Sequence, residues 1–171
     1  MKDETMKQLT KTAMMAAIIF VCTYTFKVPI AITGGYTHLG DCAIFIGVML
    51  LGRKQGTVAA ALGAAMSDLL GGFWLWVVPT FLIKGIMAFI MGTIVEKVLP
   101  DKKGNWLIGA IAGGIWQIIG YTLTKIVLLS PQAAFATVPT VSAQTVAGII
   151  IASVVIVVLQ SSNVLYRLKR M

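Results

Sequence analysis

The sequence predicts an all-α integral membrane protein: a single domain, 1–171, of six transmembrane helices in one compact bundle with both termini cytoplasmic. Composition is the first of three observations behind this prediction, because 58% of the 171 residues are hydrophobic and only 12% are charged. Soluble domains have about 45–50% apolar and about 25% charged residues. The mean hydropathy of +0.90 likewise excludes a soluble domain, a disordered chain or a small disulfide scaffold.

The second observation is a series of apolar runs after the polar segment 1–11, and these runs place the spans at 12–26, 39–52, 56–70, 74–95, 106–130 and 141–159. A helix needs about 20 residues to cross a bilayer, and only helices satisfy their own backbone hydrogen bonds there without barrel alternation. The second and third runs are short. However, Arg53 and Lys54 lie between them, and a re-entrant loop would leave both charges in lipid. We therefore expect both runs to cross.

The third observation is the one-sided distribution of basic residues. Eleven of the 14 Lys and Arg residues lie in the N-terminal segment, the turn at 53–54, the loop after the fourth span and the C-terminus. The opposite loops, 28–38, 71–73 and 131–140, contain no Lys or Arg. Because basic loops stay in the cytoplasm, this distribution predicts that both termini are cytoplasmic.

The ionisable residues that do not flank a span all map to the outer ends or outer halves of the spans. They are Lys27, His38, Asp41, Asp68, Lys84 and Lys125. Ionisable groups at membrane depth are costly and usually face a bundle interior or a water-filled cavity. Their restriction to one leaflet favours a polar pocket open to the outside.

Asp41 and Asp68 have a structural alternative, in which both carboxylates pair with lysines and fix the helix packing. Asp41 stands near the start of the second span, where it suits an N-terminal cap at the positive end of the helix dipole. Asp68 precedes Gly71 and Gly72 and suits a cap or clamp. We expect a structural role for both residues.

A polar stripe on the fifth span is more specific. Gly113, Gln117, Tyr121 and Lys125 are four residues apart and so share one helical face, with Trp116 beside them. This set suits a small, flat, polar heterocycle that is held by stacking and a few hydrogen bonds. Interhelical hydrogen bonding, with Lys125 reaching out to the interface, is the alternative.

Further candidates come from the fourth span and the first outer loop. Lys84 lies ten residues after Trp74, deeper than an interfacial residue, which favours a role in the pocket. Trp74 and Trp76 are typical of an interfacial aromatic belt. In the glycine-containing loop 34–38, Tyr36 and His38 supply contact groups for a segment that folds over a pocket.

Catalytic signatures are absent from the sequence. A single histidine excludes a multi-histidine metal site, and no zinc-protease, nucleophile-elbow or phosphate-loop motif occurs. Lys84 with Asp68 is the one pair that an intramembrane enzyme would have available. The sequence therefore predicts a protein that is not an enzyme, with no catalytic residue, no metal site and no cofactor in this chain.

Four sequence motifs, taken together and in this order, are typical of one protein family. They are Ala13-x-x-x-Ala17, Tyr36-Thr37-His38-Leu39-Gly40-Asp41, Ser67-Asp68-Leu69-Leu70-Gly71-Gly72 and Trp76…Pro79-Thr80…Ile83-Lys84-Gly85. With these motifs the chain resembles the substrate-binding S components of energy-coupling factor (ECF) vitamin transporters. The resemblance covers nearly the whole chain and is strongest to the riboflavin-type branch, which also holds the subunits for pyridoxine and hydroxymethylpyrimidine.

The resemblance implies a multi-pass protein of a prokaryotic plasma membrane that binds a vitamin from outside. It then docks on a membrane-embedded T component, which couples to two cytosolic ATPases that use the ATP. It implies docking through the small-residue face of Ala13 and Ala17. It also implies a pocket that is built by the first outer loop and the later spans, formed by Tyr36, His38, Lys84, Gln117, Tyr121, Lys125 and Gln144.

Size and polarity give an expectation for the ligand. Few aromatics and several lysines suit a pyridoxine-like or hydroxymethylpyrimidine-like ring better than a tricyclic flavin. Riboflavin, pantothenate and a phosphorylated vitamer are alternative ligands. A membrane scaffold or assembly subunit without a ligand is an alternative class of protein. A scaffold would have its outer polar residues fully paired with one another, with no cavity between them.

Overall fold

The computed structural model describes residues 2–30 and 35–161. Within these ranges the chain forms five α-helices and one β-hairpin. The elements are α1 (Lys2–Thr25), β1 (Lys27–Ile30), β2 (Gly35–His38), α2 (Gly40–Leu70), α3 (Trp74–Thr93), α4 (Asn105–Leu128) and α5 (Pro131–Ser161). A π-helical turn, Ile94–Val98, continues α3. The all-α prediction is confirmed, and the hairpin is an addition to it.

Helix α2 is bent back on itself at Gly52, which has a φ of +81°. A Cβ atom added to Gly56 would lie 2.8 Å from the Cα atom of Val48, whereas residues eight apart in a straight helix are separated by about 12 Å. The first arm (residues 40–51) and the second arm (residues 53–70) therefore pack against each other. Glu96 holds the bend, since its Oε1 atom accepts a hydrogen bond of 2.6 Å from the backbone N of Arg53.

The predicted count of six spans is not supported. In the described part of the chain, four helices are long and apolar enough to cross a membrane: Gly40–Leu70, Trp74–Val98, Asn105–Leu128 and Pro131–Leu159. The first predicted span is the apolar half of α1, whose other half carries the charges of residues 2–11. The second and third are the arms of α2, and the first arm is only about 18 Å long, compared with a bilayer core of about 30 Å.

Two predicted loops have regular structure instead. Residues 131–140 are the first turns of α5, which therefore begins ten residues earlier than predicted. Pro131 is favourable in a first helical turn, and Ser130 Oγ accepts a 3.2 Å hydrogen bond from the backbone N of Ala133. In the loop 28–38, β1 pairs with β2 in antiparallel register, with Lys27 opposite His38.

The basic C-terminal residues Arg167, Lys169 and Arg170 lie outside the described residues.

An apolar core runs along the middle of the bundle, and apolar side chains also cover much of its surface. Ile19, Phe45 and Met87 are completely buried, whereas Val78 and Val127 are 66% and 81% exposed. A surface of this kind is stable when lipid surrounds the helices, because no polar shell is needed there. The protein is therefore built as a multi-pass membrane protein.

Glycines let α4 approach α3 closely. A Cβ atom at Gly113 would lie 2.8 Å from the carbonyl oxygen of Met87, and one at Gly109 would lie 2.9 Å from that of Met91. Small residues at this spacing are typical of tight helix contacts in membranes. Gly113 thus serves helix packing.

We expect Gly52→Ala to destabilise the protein more than Gly104→Ala does. Gly52 combines a φ of +81° with a ψ of 179°, a region that is essentially restricted to glycine and costs other residues roughly 1–3 kcal/mol. Gly104 has left-handed helical angles and nothing within 4 Å of an added Cβ atom. Thermal unfolding of both variants in detergent tests this, and equal midpoints would contradict a bend that depends on Gly52.

Candidate binding site at the hairpin end of the bundle

Asp41 is the centre of a buried polar network. Its carboxylate is completely buried and accepts hydrogen bonds from the Lys84 ammonium at Oδ1, from Gln117 Nε2 at Oδ2 (2.7 Å) and from Gln144 Nε2 at Oδ2 (2.9 Å). The expected cap role of Asp41 is wrong: Leu39 occupies the N-cap position of α2, without a side-chain cap bond. Pairing of Asp41 with a lysine, the other structural expectation, is present.

Lys84 is completely buried between α2 and α4. Its ammonium also donates to Gln117 Oε1 and lies 5.6 Å from the centre of the Tyr121 ring. Burying an ion pair costs several kcal/mol of desolvation, which must be offset by good geometry and further hydrogen bonds. The amide donors from Gln117 and Gln144 supply these bonds, and Lys84 does not extend to the membrane surface.

Two polar stripes face each other across α3 and α4. Each stripe has a spacing of four residues, and the helices run antiparallel, so the pairs are Lys84 with Gln117, Thr80 with Tyr121, and Trp76 with Lys125. The hydroxyls of Thr80 and Tyr121 share a hydrogen bond of 3.2 Å. The rings of Trp76 and Tyr121 are 6.4 Å apart. The stripes thus place polar and aromatic groups in one continuous row.

Lys125 ends this row and is 6% exposed. Its Nζ atom donates a 2.8 Å hydrogen bond to Thr137 Oγ1 on α5 and lies 6.0 Å from the centre of the Trp76 ring. Lys125 therefore points into the bundle instead of reaching out to the interface. Trp76 is 9% exposed, so the expectation that it belongs to an aromatic belt is wrong, whereas Trp74 is 72% exposed.

His38 and Gln144 connect the network to the β-hairpin. Gln144 Oε1 accepts a 3.2 Å hydrogen bond from the backbone N of His38, and His38 Nδ1 accepts one of 3.0 Å from the backbone N of Gly40. Burial, reinforced by the positive charge of Lys84, lowers the pKa of His38 to about 3. The imidazole is therefore neutral at neutral pH.

A cavity of about 520 Å³ lies beside these two residues. It is lined by Thr25, Phe26, Lys27, His38, Leu39, Thr140, Ala143, Gln144 and Ala147. Tyr36 lies in β2 opposite Pro29. The hairpin, α1 and α5 thus border an open depression next to the buried network.

Asp68 lies away from Lys84, at the end of the second arm, and is 3% exposed. Lys27 is its cationic neighbour: burial lowers the pKa of Lys27, and the charge of Asp68 opposes that change. Lys27 Nζ also donates to the carbonyl oxygen of Ser67 at 3.2 Å. The Lys84–Asp68 pair that a catalytic site would need is not formed, because Lys84 is paired with Asp41.

Trp116 is half-buried, and its Nε1 atom donates a 3.2 Å hydrogen bond to the carbonyl oxygen of Ile83. It therefore packs beside the site, since Ile83 directly precedes Lys84 in the sequence.

Sequence reasoning missed Trp76, Thr80, Thr137 and Thr145 as neighbours of the site. The first two were detectable, since Trp76, Thr80 and Lys84 repeat the four-residue spacing of the α4 stripe.

Ala13 and Ala17 are exposed on α1. Ala17 borders a small apolar groove of about 220 Å³ that Leu62 and Gly63 of the second arm also line. By contrast, the closely spaced alanines of the second arm, such as Ala60 and Ala64, are completely buried. The small-residue face of α1 is therefore open, whereas that of the second arm packs inside the bundle.

The fold and the site define a small multi-pass membrane protein with a buried polar site at one end of its helices. The family model for the ECF-type riboflavin transporter S component matches residues 3–161. This chain belongs to that family, and its membership confirms the resemblance drawn from the four motifs. The family is one of transporter S components and not of enzymes.

Two relatives extend the comparison. A Pyrococcus woesei protein, described by its position in the gap 3′ region, is 32% identical over 133 residues, which cover 78% of this chain and 88% of the relative. The thiamine precursor transporter HmpT of Lactococcus lactis subsp. cremoris (strain MG1363) is 26% identical over 152 residues, which cover 77% of this chain and 90% of HmpT.

We expect Lys84→Met to destabilise the protein by about 3–5 kcal/mol, because it leaves the buried Asp41 carboxylate without its cation. The double variant Asp41→Asn/Lys84→Met removes both charges and should recover most of that loss. Thermal midpoints of Lys84→Met, of Asp41→Asn and of the double variant measure this coupling, with the exposed Lys102→Met as control. Additive effects of the two substitutions would show that the ion pair does not organise the site.

Proposed function

We propose that this chain is the substrate-capture subunit of an ATP-driven ECF-type importer and binds a small ring-shaped vitamin or vitamin precursor from the outside. ECF S components bind small vitamins and associate with T and ATPase subunits. The observation that carries the proposal is the row of facing polar and aromatic side chains between α3 and α4. Such a row offers a flat heterocycle both stacking and hydrogen bonds.

A single-ring pyrimidine or pyridine is the favoured ligand. The relative HmpT is named as a thiamine precursor transporter, which supports a hydroxymethylpyrimidine-like compound; a pyridoxine-like compound has similar size and polarity. Tyr121 and Trp76 supply two aromatic faces, and Lys84, Gln117 and Lys125 supply donors and an acceptor. Riboflavin or pantothenate in the same role is the alternative substrate.

The proposed orientation has the site facing outside and both termini in the cytoplasm, in a prokaryotic plasma membrane. The bend at Gly52 supports it, because it brings Arg53 to the end of the bundle where Lys11 and Glu96 border one groove with Gly52. Basic residues collect at this end, and basic segments stay in the cytoplasm. The polar site lies at the other end of the same helices.

Docking on a T component through Ala13 and Ala17 is the second part of the proposal. Both residues are exposed on α1, and small side chains let a partner helix approach the backbone closely. Two cytosolic ATPases would then supply the energy from ATP, and this chain itself would carry no cofactor.

A ligand-free scaffold is the competing function, and one observation favours it. Asp41, Lys84 and Gln117 are hydrogen-bonded to one another, as a purely structural network would be. Lys125 and the cavity beside His38 and Gln144 favour a binding subunit instead. Ligand binding decides between the two functions.

We expect one compound of a vitamin panel to quench the tryptophan fluorescence of the purified chain with a dissociation constant in the nanomolar to low micromolar range. The panel is hydroxymethylpyrimidine, pyridoxine, pyridoxal, thiamine, riboflavin and pantothenate. Because Trp76 contacts Tyr121 and Lys125, Trp76→Phe should remove most of the quenching, whereas Trp116→Phe should retain it.

Calorimetry provides the control, since binding without quenching would remain visible as heat. No binding of any panel member by either method would favour the scaffold. Binding whose quenching depends on Trp116 and not on Trp76 would place the ligand elsewhere.

We expect Ala17→Trp to abolish vitamin uptake by cells but to leave ligand binding by the purified chain unchanged, because the indole blocks the approach of a partner helix at a residue that does not line the cavity. Val157→Trp, at an exposed position near the other end of α5, is the control and should leave uptake intact. Uptake assays and calorimetry on the same variants measure both effects. Normal uptake by Ala17→Trp would remove the docking proposal.

A further inference from the structure

The charges at the hairpin end of the bundle do not balance. Three lysines lie there, and the chain's six Asp and Glu residues include only two in the same region, Asp41 and Asp68. Asp41 is paired with Lys84, and Asp68 is the charged neighbour of Lys27. Among the described residues Lys125 is left without a carboxylate, and residues 31–34 and 162–171, which lie outside that part of the chain, contain no Asp or Glu.

Lys125 also retains hydrogen-bonding capacity. An ammonium has three N–H donors, and within the described residues one of them is used by Thr137 Oγ1 at 2.8 Å. The Thr137 hydroxyl in turn has the backbone carbonyl oxygens of Ala134 (3.0 Å) and Ala133 (3.2 Å) as acceptors, so a lone pair of Oγ1 is left for Lys125. The Nζ atom also lies 6.0 Å from the centre of the Trp76 ring. At least one donor is left for a ligand.

We propose that Lys125, held between Trp76 and Thr137, is an anion subsite that selects ring compounds bearing a phosphate or carboxylate substituent. This inference rests on the proposed function and names the chemistry of its substrate. A buried cation without a counter-ion is costly, and a ligand anion would supply the counter-ion on binding. Charge-assisted hydrogen bonds of this kind are about twice as strong as neutral ones.

The position of Lys125 suits a substituent and not the ring itself. Gln117, Tyr121 and Lys125 follow one another at intervals of four residues, so Lys125 lies about 12 Å along the α4 axis from Gln117. A ligand ring stacked on Tyr121 would have its polar edge toward Gln117 and the Asp41–Lys84 ion pair, whose two charges cancel. A charged group on a short linker at the opposite edge then extends toward Lys125.

One property of α4 offers a different explanation for a cation at this position. Lys125 lies in the last turn of α4, which ends at Leu128, and the negative end of a helix dipole stabilises a cation there. That effect does not depend on any ligand. The two explanations differ in whether Lys125 changes the relative affinity for charged and neutral ligands.

The test compares matched ligand pairs with the purified full chain in detergent, by calorimetry. The pairs are hydroxymethylpyrimidine with its monophosphate, pyridoxine with pyridoxine 5′-phosphate, and pyridoxal with 4-pyridoxic acid for the carboxylate. For at least one pair we expect the anion to bind about tenfold tighter than its neutral partner. A preference in the first two pairs alone assigns a phosphate, and one in the third pair alone assigns a carboxylate.

Variants then assign the preference to Lys125. Lys125→Met should bring the affinity ratio close to one, because it weakens binding of the anion about tenfold more than binding of the neutral compound. Lys125→Arg should retain the preference, and Lys27→Met is the control for another lysine at the same end of the bundle. Unchanged thermal midpoints and gel-filtration profiles show that the variants are folded.

Three results would overturn the inference. Neutral compounds that bind as tightly as their charged partners in all three pairs, or a preference that survives Lys125→Met, would overturn the anion subsite and leave the proposed function intact. Binding of no compound in any pair, or in the vitamin panel above, overturns the proposed function together with the inference that rests on it.

Discussion

The buried ion pair between Asp41 and Lys84 is the interaction on which the rest of this end of the bundle depends. Neither side chain is exposed, and two separated charges in a membrane protein's interior would be prohibitively costly. Gln117 and Gln144 complete the coordination of the carboxylate. Because these residues come from α2, α3, α4 and α5, one carboxylate joins four helices.

The same network determines where a ligand site can be. Gln144 uses its second polar atom to accept a hydrogen bond from His38, which ties the β-hairpin to the ion pair. The donors and acceptors nearest Asp41 are therefore largely engaged with one another, whereas Lys125, farther along α4, keeps an N–H donor for a ligand. The pair is best understood as the rigid floor of the site, with recognition shared with the residues next to it.

Sequence periodicity predicted the polar stripe of α4 and the depth of Lys84, because a four-residue spacing on a helix is a local property. It did not predict the partner of Lys84, since Asp41 is 43 residues away and its position at a helix start equally suits a cap. The predicted count of spans failed for a physical reason too: half of α1 is polar and charged, and the first arm of α2 ends after about 18 Å at the bend at Gly52. Trp76 was missed because an aromatic residue near a span end also suits the interface.

Native mass spectrometry of the chain purified from its own membranes tests the central claim most directly, because it needs no assumption about the ligand. If the polar end of the bundle is a capture site, the spectrum should show one bound small molecule per chain, with the mass of a substituted nitrogen heterocycle. The Lys84→Met variant should lose it. A spectrum with only the bare chain and lipid adducts, in protein shown to be folded, would contradict the binding site and favour a scaffold.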